Sequence, residues 1–247
     1  MIVPYGNFLF RYRNGLFPAV LVALFVIFRP VYFLGDERLD CWVDALGLLV
    51  ALTGQAFRAI AIGYVYILRG GRDHKVYAED LVTSGFFAHS RNPLYLGNVL
   101  ILIGLFLIHG NPWVIGAGSL FFLSGYAAIV AAEEHYLAGK FGAAYEGYVR
   151  DVPRWLPRLQ GLRGTMAGMR FNWRRLVSKE YGSMLMWMGG AILLLVQETL
   201  AYHSWHERES RLRLLATALG LLFVGWGAAR FLKKTGRLRN PRAEASG

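Results

Sequence analysis

The chain has 247 residues, of which 55% are hydrophobic and 17% charged, and its mean hydropathy is +0.35. Soluble domains carry about a quarter charged residues, so this composition argues against a water-soluble globule. The 15% of aromatic residues argue equally against disorder. The formal net charge is +11. In so apolar a chain, the excess of Lys and Arg favours loops facing an anionic membrane leaflet over nucleic-acid binding.

Six apolar segments are long enough, or nearly long enough, to cross a membrane. About 30 Å of hydrocarbon needs roughly 20 mostly apolar residues in a helix. The segments are 15–34, 42–68, 93–108, 113–132, 184–202 and 214–232, the third being short. We predict an all-α, polytopic membrane bundle of about six transmembrane helices. Small residues within the spans predict close helix packing at Gly116, Ser119, Gly220 and Gly227.

The charges of the connecting segments predict the orientation of the bundle. With the amino terminus in the cytoplasm, 21 of the 27 Lys and Arg residues fall on cytoplasmic segments and four on outer loops. This distribution obeys the positive-inside rule with both termini cytoplasmic. The two segments long enough to build a site, 69–92 and 133–181, lie on that same side, so we expect the site to face the cytoplasm.

The third span begins at a conspicuous sequence, Arg91-Asn92-Pro93. Proline suits the first turn of a helix and asparagine is a good cap, so a capped helix entry explains these residues without any ligand. Tyr95 and Gly97 follow on the first turn, where a glycine lets a ligand or another backbone approach closely.

Glu133 and Glu134 stand where the fourth span ends. The end of a helix already carries partial negative charge, so two carboxylates there are poorly placed unless they meet a cation or a ligand, although a solvated pair is the simpler interpretation. Adjacent helical residues point about 100° apart, so only one of the two is expected to face a pocket.

Arg58 lies inside the second span, where a charged side chain is costly and faces a polar cavity or a partner unless it snorkels to the interface. Further along the chain, Phe141, Tyr145 and Tyr148 form an aromatic stripe at helical spacing, which favours packing over ligand binding. The prolines at 153 and 157 then end the helix and leave an extended segment that can lie over a site.

The single cysteine, Cys41, excludes an internal disulfide and any zinc site built from cysteines. His203, His206 and Glu207 lie close together in sequence, but a polar loop explains them better than a metal site does. The chain has no P-loop, dinucleotide-binding loop or serine-hydrolase elbow. We therefore predict no metal centre.

Taken together, four blocks resemble the isoprenylcysteine carboxyl methyltransferase and phospholipid methyltransferase superfamily. They are LVTSG at 81–85, RNPLYLGN at 91–98, EE at 133–134 and FGAAYEGYVRDVPRWLP at 141–157, and their order and spacing both match. The segment TGQAFRAIAIG at 53–63 resembles the helix that precedes them, so the resemblance covers roughly 45–158. It implies an integral membrane enzyme that uses S-adenosylmethionine, with residues 1–158 as the methyltransferase core. Residues 159–247 are then a basic connector, a transmembrane hairpin and a basic tail.

The resemblance also implies a set of site residues. Leu81 and Val82 are expected to contact the cofactor through their backbone. Glu133, with Glu134 beside it, is expected to hold its ribose or methionine end. The other expected cofactor-binding residues, at the adenosyl pocket and its entry, are Phe87, His89, Arg91, Asn92, Pro93, Leu94, Tyr95 and Gly97. Arg58, Glu134 and Arg154 are the candidates for catalysis, the arginines toward the cofactor carboxylate or the acceptor.

Two departures from the family pattern bear on mechanism. Asn92 stands where the family often has histidine, and Phe86-Phe87 where it has a proline-tyrosine pair. Asparagine still donates and accepts hydrogen bonds but has no proton to titrate. We therefore predict that cofactor binding survives, while a base at this position is absent.

Two other classes of function remain open from the sequence. Membrane sterol or steroid reductases, which use a nicotinamide cofactor, carry a similar Asn-Pro-x-Tyr segment but usually have glutamate where this chain has Asn98. Transporters often show internal repeats, and none is visible here. We predict an S-adenosylmethionine-dependent methyltransferase acting on a lipophilic small molecule or lipid, surrounded by membrane lipids and without a nucleic-acid partner. The identity of the acceptor and the oligomeric state stay open.

Overall fold

The computed structural model describes residues 2–64, 69–72, 75–202 and 204–238. Its eight α-helices are α1 (Ile2–Ile27), α2 (Glu37–Tyr64), α3 (Pro93–His109), α4 (Ser119–Phe141), α5 (Ala143–Asp151), α6 (Leu162–Ala167), α7 (Trp173–Tyr202) and α8 (Trp205–Lys234). Short 3₁₀ turns cover Phe33–Gly35 and Gly85–Ala88, and a π turn, Val114–Gly118, leads into α4. The strands β1 (Arg69–Arg72) and β2 (Lys75–Ala78) form a small antiparallel hairpin. The predicted helical class is confirmed, with this hairpin as an addition.

Within these described ranges, five helices are long and apolar enough to cross a membrane: Ile2–Ile27, Glu37–Tyr64, Val114–Phe141, Trp173–Tyr202 and Glu207–Lys234. The remaining predicted span, α3, is apolar but has 17 residues. The first helix begins at Ile2 rather than at residue 15, because Leu9 and Phe10 extend its buried face toward the amino terminus. It ends at Ile27 rather than at residue 34. The predicted end of the second span, residue 68, lies outside the described residues; α2 ends at Tyr64.

α2 and α3 run antiparallel with their backbones nearly touching along a seam of glycines. A Cβ atom added at Gly54 would lie 2.5 Å from the carbonyl oxygen of Gly97, and one at Gly47 would lie 2.7 Å from that of Gly104. The packing prediction was wrong for Gly116, Gly220 and Gly227, where an added Cβ would meet nothing within 4 Å. Those glycines face away from neighbouring helices, and the close approach occurs at glycines spaced seven residues apart on α2 and α3.

α1 is held against α4 by aromatic packing. The ring of Phe17 meets those of Phe122 and Tyr126 edge-on, with centroids 5.2 Å apart in both pairs. Leu9 and Phe10 complete the buried cluster from the α1 side. Such edge-to-face pairs add stabilisation beyond the apolar area that they bury.

α7 packs onto both α2 and α3, so the carboxyl-terminal hairpin is joined to the preceding helices. Trp187 lies in a buried cluster with Ala51 of α2 and Leu105 of α3, and its indole N–H donates to the Gln55 side chain at 2.9 Å. α8 then pairs with α7. We call the end of the bundle where α2 ends and α3 begins the pocket end, and the end where α2 begins and α3 ends the opposite end.

Candidate active site

A cavity of about 1220 Å³ opens at the pocket end and continues between the helices. Pockets for single small ligands measure about 300–1,000 Å³, so this one has room for a cofactor and part of a second molecule. Its polar part, which we call the mouth, is lined by Arg13, Arg58, Arg91, Asn92, Tyr95, Asn98 and Glu133, beside Phe87, Pro93 and Leu94.

The entry to α3 is fixed from outside by the extended segment that follows α5. The backbone N–H of Arg91 donates to the carbonyl of Pro153 at 2.9 Å, and the Ser90 hydroxyl donates to that of Trp155 at 2.8 Å. Asn92 occupies the cap position of α3, but its side-chain amide donates to the carbonyl of Arg154 at 3.1 Å and makes no cap hydrogen bond. The capping role predicted for this side chain was therefore wrong: a cap accepts with its side-chain oxygen, and this amide is instead held by the neighbouring segment through its Nδ2.

Tyr95 and Glu133 meet inside the mouth. The Tyr95 hydroxyl donates to Oε1 of Glu133 at 2.8 Å and accepts from Nη1 of Arg13 at 2.8 Å. Glu133 is 4% exposed although it carries a carboxylate. Residues from α1, α3 and α4 are thus joined at one point, where a buried acceptor faces the cavity.

The two adjacent glutamates face different surroundings, as the helical geometry predicts. Glu133 lines the cavity, whereas Glu134 pairs with Arg91 at 3.1 Å and with Arg154 at 2.7 Å. Arg154 is 41% exposed at its side chain and does not line the cavity. Glu134 therefore orients Arg91, which does line it.

Arg58 does not snorkel but forms a buried ion pair. Its Nε and Nη2 donate to the two carboxylate oxygens of Glu180 on α7, at 2.8 and 2.6 Å, and its Nη1 donates to Asn98. Glu180 is 1% exposed and also accepts from the Gln55 amide at 3.0 Å. The pair closes the floor of the mouth and ties α7 to α2 and α3.

Glu180 and Asn98 were missed by the sequence analysis. An arginine inside a span needs a partner, and this rule was the available signal. Glu180, an acidic residue in the first turns of the spanning helix α7, was a candidate for that partner. More than 120 residues separate it from Arg58, so no local pattern connects the two. Arg13 and Tyr126, which also line the cavity, were missed for the same reason.

Several predicted residues do not line the cavity. Leu81 and Val82 each pack against a different hydrophobic cluster. The space beside Gly97 is occupied by the aliphatic part of the Arg58 side chain and by the backbone of Gly54. Both ring nitrogens of His89 are engaged, one with the carbonyl of Arg158 at 2.7 Å and one with the hydroxyl of Thr165 at 3.0 Å. His89 therefore anchors the segment that follows α5, and the expected cofactor contacts of Leu81, Val82 and Gly97 stay predictions.

Away from the mouth, the cavity continues as an apolar arm between α1, α3 and α7. Ile101 and Leu105 of α3 form part of its floor, and Phe223 of α8 reaches its edge. Val22 and Met186, on α1 and α7, line the cavity yet are 60% and 69% exposed. Because these rim residues belong to the apolar surface of the spanning helices, the arm opens sideways toward lipid.

The fold and site define an integral membrane protein in which one cavity joins a polar mouth to a lipid-facing apolar arm. Comparison with known proteins agrees with this class. The phospholipid methyltransferase family matches residues 45–144. The chain is 31% identical to the cobalt-zinc-cadmium resistance protein CzcN of Cupriavidus metallidurans, over 64% of this chain and 69% of that protein. It is 26% identical to protein-S-isoprenylcysteine O-methyltransferase B of Arabidopsis thaliana, over 56% and 72%, and 28% identical to the Xenopus laevis O-methyltransferase, over 52% and 45%. No solved structure matches.

The chain belongs to the isoprenylcysteine carboxyl methyltransferase and phospholipid methyltransferase superfamily, and it is a membrane methyltransferase. The matched region begins on α2 and ends on α5, so it contains the α3 entry, Tyr95 and both glutamates. Glu180, which holds Arg58, and much of the apolar arm lie beyond it, on α1, α7 and α8.

Proposed function

We propose that this chain transfers a methyl group from S-adenosylmethionine to a lipophilic or lipid acceptor that enters from the membrane. The observation that carries the proposal is the continuity of the cavity, from Tyr95 and the buried Glu133 to the exposed apolar rim at Val22 and Met186. A water-soluble donor and an oily acceptor need such a cavity, open to both phases.

The residues of the mouth fit the chemical groups of this cofactor. Nε of Arg91 is buried at the cavity without a hydrogen-bond partner, which suits a donor awaiting a carboxylate. Glu133 offers carboxylate oxygens to hydroxyl or ammonium groups, and Phe87, Pro93 and Leu94 offer apolar surface to an adenine ring. When bound, S-adenosylmethionine supplies an electrophilic methyl group on a sulfonium.

The protein's own contribution is to position reactants and exclude water. Arg13 and Tyr95 hold the Glu133 carboxylate in one orientation, and the Arg58–Glu180 pair keeps the floor rigid. The apolar arm holds the acceptor in a dry environment, where electrostatic interactions strengthen. Because Asn92 cannot take a proton and His89 is engaged elsewhere, the arrangement favours acceptors that react without a base, such as carboxylates or thiolates.

Methyl transfer is tested with the purified chain in lipid nanodiscs and methyl-labelled S-adenosylmethionine. We expect saturable cofactor binding and label in the organic phase after extraction, and loss of both in Glu133→Gln. Mass spectrometry of the labelled product then identifies the acceptor. Absence of saturable S-adenosylmethionine binding would overturn the proposal. A melting temperature raised by NADPH and not by S-adenosylmethionine would overturn it in favour of a reductase.

A further inference from the structure

Three carboxylates meet at the opposite end of the bundle, away from the methyl-transfer cavity. Asp40 and Asp44 lie one turn apart at the start of α2, and Glu198 lies near the end of α7. One carboxylate oxygen from each lies within 4.8 Å of the others. Asp44 and Arg58 are separated by about 20 Å along α2, at about 1.5 Å per residue, so the cluster is no part of the active site.

Two of the three carboxylates are buried, Asp44 is half-buried, and the cluster is short of donors. Asp40 and Glu198 are 3% and 7% exposed. Oδ1 of Asp44 is buried without a hydrogen-bond partner, and within the described part of the chain no group donates to the Glu198 carboxylate. Buried carboxylates normally have hydrogen-bond donors, a paired cation or a metal, so this group of carboxylates lacks a counterpart.

The surrounding groups do not provide that counterpart. The backbone N–H of Phe33 donates to Oδ1 of Asp40 at 2.8 Å, which fixes one carboxylate in place. Arg211 of α8 acts electrostatically on the cluster, but the ion pair that it forms, at 3.9 Å, is with Glu37. In the connection between α1 and α2, burial raises the pKa of the Tyr32 phenol most, Glu37 and Glu198 raise it further, and Arg211 lowers it. More acidic than basic groups therefore act on this phenol.

We propose that Asp40, Asp44 and Glu198 bind one divalent cation of the oxygen-preferring class, with Ca²⁺ fitting best. Calcium takes carboxylate oxygens at about 2.3–2.6 Å in flexible geometry, so its ligand oxygens lie up to about 5 Å apart. Three carboxylate oxygens that all lie within 4.8 Å of one another are compatible with this spacing. Magnesium, with bonds of about 2.0–2.1 Å, demands near-ideal octahedral geometry, so the flexible coordination of Ca²⁺ accommodates three helix-borne carboxylates more readily. A bound ion links α2 to α7 across these three carboxylates.

Cation binding is measured on the full chain in detergent, first stripped with chelator. Tb³⁺ replaces Ca²⁺ and is excited through nearby aromatic rings, among them Tyr32, which stacks on Tyr202 at 4.4 Å. We expect one saturable site per chain, displacement of Tb³⁺ by Ca²⁺, and a higher melting temperature with Ca²⁺ than with chelator. In Glu198→Gln and Asp44→Asn the affinity should fall at least about tenfold, a loss typical even of outer-shell partners of metal sites.

Glu209→Gln is the matched control, because it removes one carboxylate of α8 near the same end, 67% exposed and outside the cluster. It should bind as the unsubstituted chain does. In chelator, Glu198→Gln should melt no lower than the unsubstituted chain, since a repulsive charge has been removed; should it fail to fold, Asp44→Asn gives the answer. No saturable binding, which means that the carboxylates share protons instead, overturns the proposal. If Glu209→Gln loses as much cation affinity as Glu198→Gln, the ion binds through general surface charge, and the proposal is overturned as well.

Discussion

The hydroxyl of Tyr95 is the atom on which three helices of the mouth converge. It donates to Glu133 and accepts from Arg13, so removing it leaves a buried carboxylate and a guanidinium without this shared partner. Hydrogen bonds to charged groups contribute about 1.5–3 kcal/mol, which corresponds to roughly ten- to hundredfold in affinity. We therefore expect Tyr95→Phe to weaken S-adenosylmethionine binding by that factor, measured by calorimetry.

Tyr12→Phe is the control for this substitution. Tyr12 lies on α1 close to Arg13, is 48% exposed and does not line the cavity. Its loss of a hydroxyl should leave cofactor affinity unchanged. Equal weakening in both variants would mean that Tyr95 acts through the general stability of the bundle and not through Glu133.

The Arg58–Glu180 pair gives a second prediction at the scale of residues, for stability. Removing one partner of a buried ion pair costs about 3–5 kcal/mol because the other charge stays buried and unpaired. Glu180→Ala should therefore lower the unfolding free energy by that order, as followed by thermal melting. The double variant Arg58→Met with Glu180→Leu should recover most of the loss, since apolar residues of similar volume replace such pairs well.

The same double variant separates stability from activity. With Arg58 absent, the floor of the mouth has no guanidinium beside Asn98, so methyl transfer should stay low even though the fold is restored. Glu209→Ala, which removes an exposed partner of Arg213, should cost well under about 1 kcal/mol. A double variant as unstable as Glu180→Ala would contradict the assignment of the loss to an unpaired buried charge.

At the scale of the elements, the glycine seam between α2 and α3 predicts that two Gly→Ala substitutions change the stability of the protein in opposite directions. Alanine is favoured over glycine in helices by about 0.8–1 kcal/mol, so Gly190→Ala on α7, where an added Cβ meets nothing within 4 Å, should be neutral or stabilising. Gly54→Ala places its Cβ 2.5 Å from the Gly97 carbonyl oxygen and should destabilise by at least about 1–3 kcal/mol. Melting temperatures of the two variants check this, and the same sign in both would contradict the seam.

Gly190 also tests the apolar arm, because it lines the cavity with open space before it. A leucine there fills part of the arm without meeting backbone. Gly190→Leu should raise KM for the lipophilic acceptor several-fold and leave S-adenosylmethionine affinity unchanged. Gly225→Leu, on the exposed side of α8 and away from the cavity, is the matched control and should leave both quantities unchanged. Weaker cofactor binding in Gly190→Leu would contradict the division between mouth and arm.

Sequence patterns predicted the elements better than the contacts between them. Apolar length is a local property, and it gave the helices; the spacing of Pro153 and Pro157 likewise gave the extended segment that now lies against Arg91 and Asn92. Helix periodicity separated Glu133 from Glu134 correctly. The partner of Arg58 depends instead on how α7 docks, and the packing glycines depend on which faces of α2 and α3 meet. Neither of these long-range contacts can be predicted from a local sequence pattern.

For the whole molecule, we predict from the packing of α3 that it crosses the membrane despite its 17 residues. Its first turns lie against Arg58, near one end of α2, and its last residue lies beside Val31, before the other end of α2 begins. α3 therefore spans about 25 Å, at about 1.5 Å per residue, alongside α2 and at the same depth. With α3 counted, six crossings place both termini on one side, which the charge distribution predicts to be the cytoplasm.

The single cysteine of the chain makes this topology measurable. Cys41 is exposed at the start of α2, and Ala144 is exposed on α5, after α2, α3 and α4. Three crossings between them put the two positions on opposite sides, and two crossings put them on the same side. We expect a membrane-impermeant maleimide to label Cys41 in intact cells, and to label the variant Cys41→Ser with Ala144→Cys only after permeabilisation. Labelling of both positions in intact cells would mean that α3 does not cross, and the reverse pattern would place the methyl-transfer cavity on the outer face.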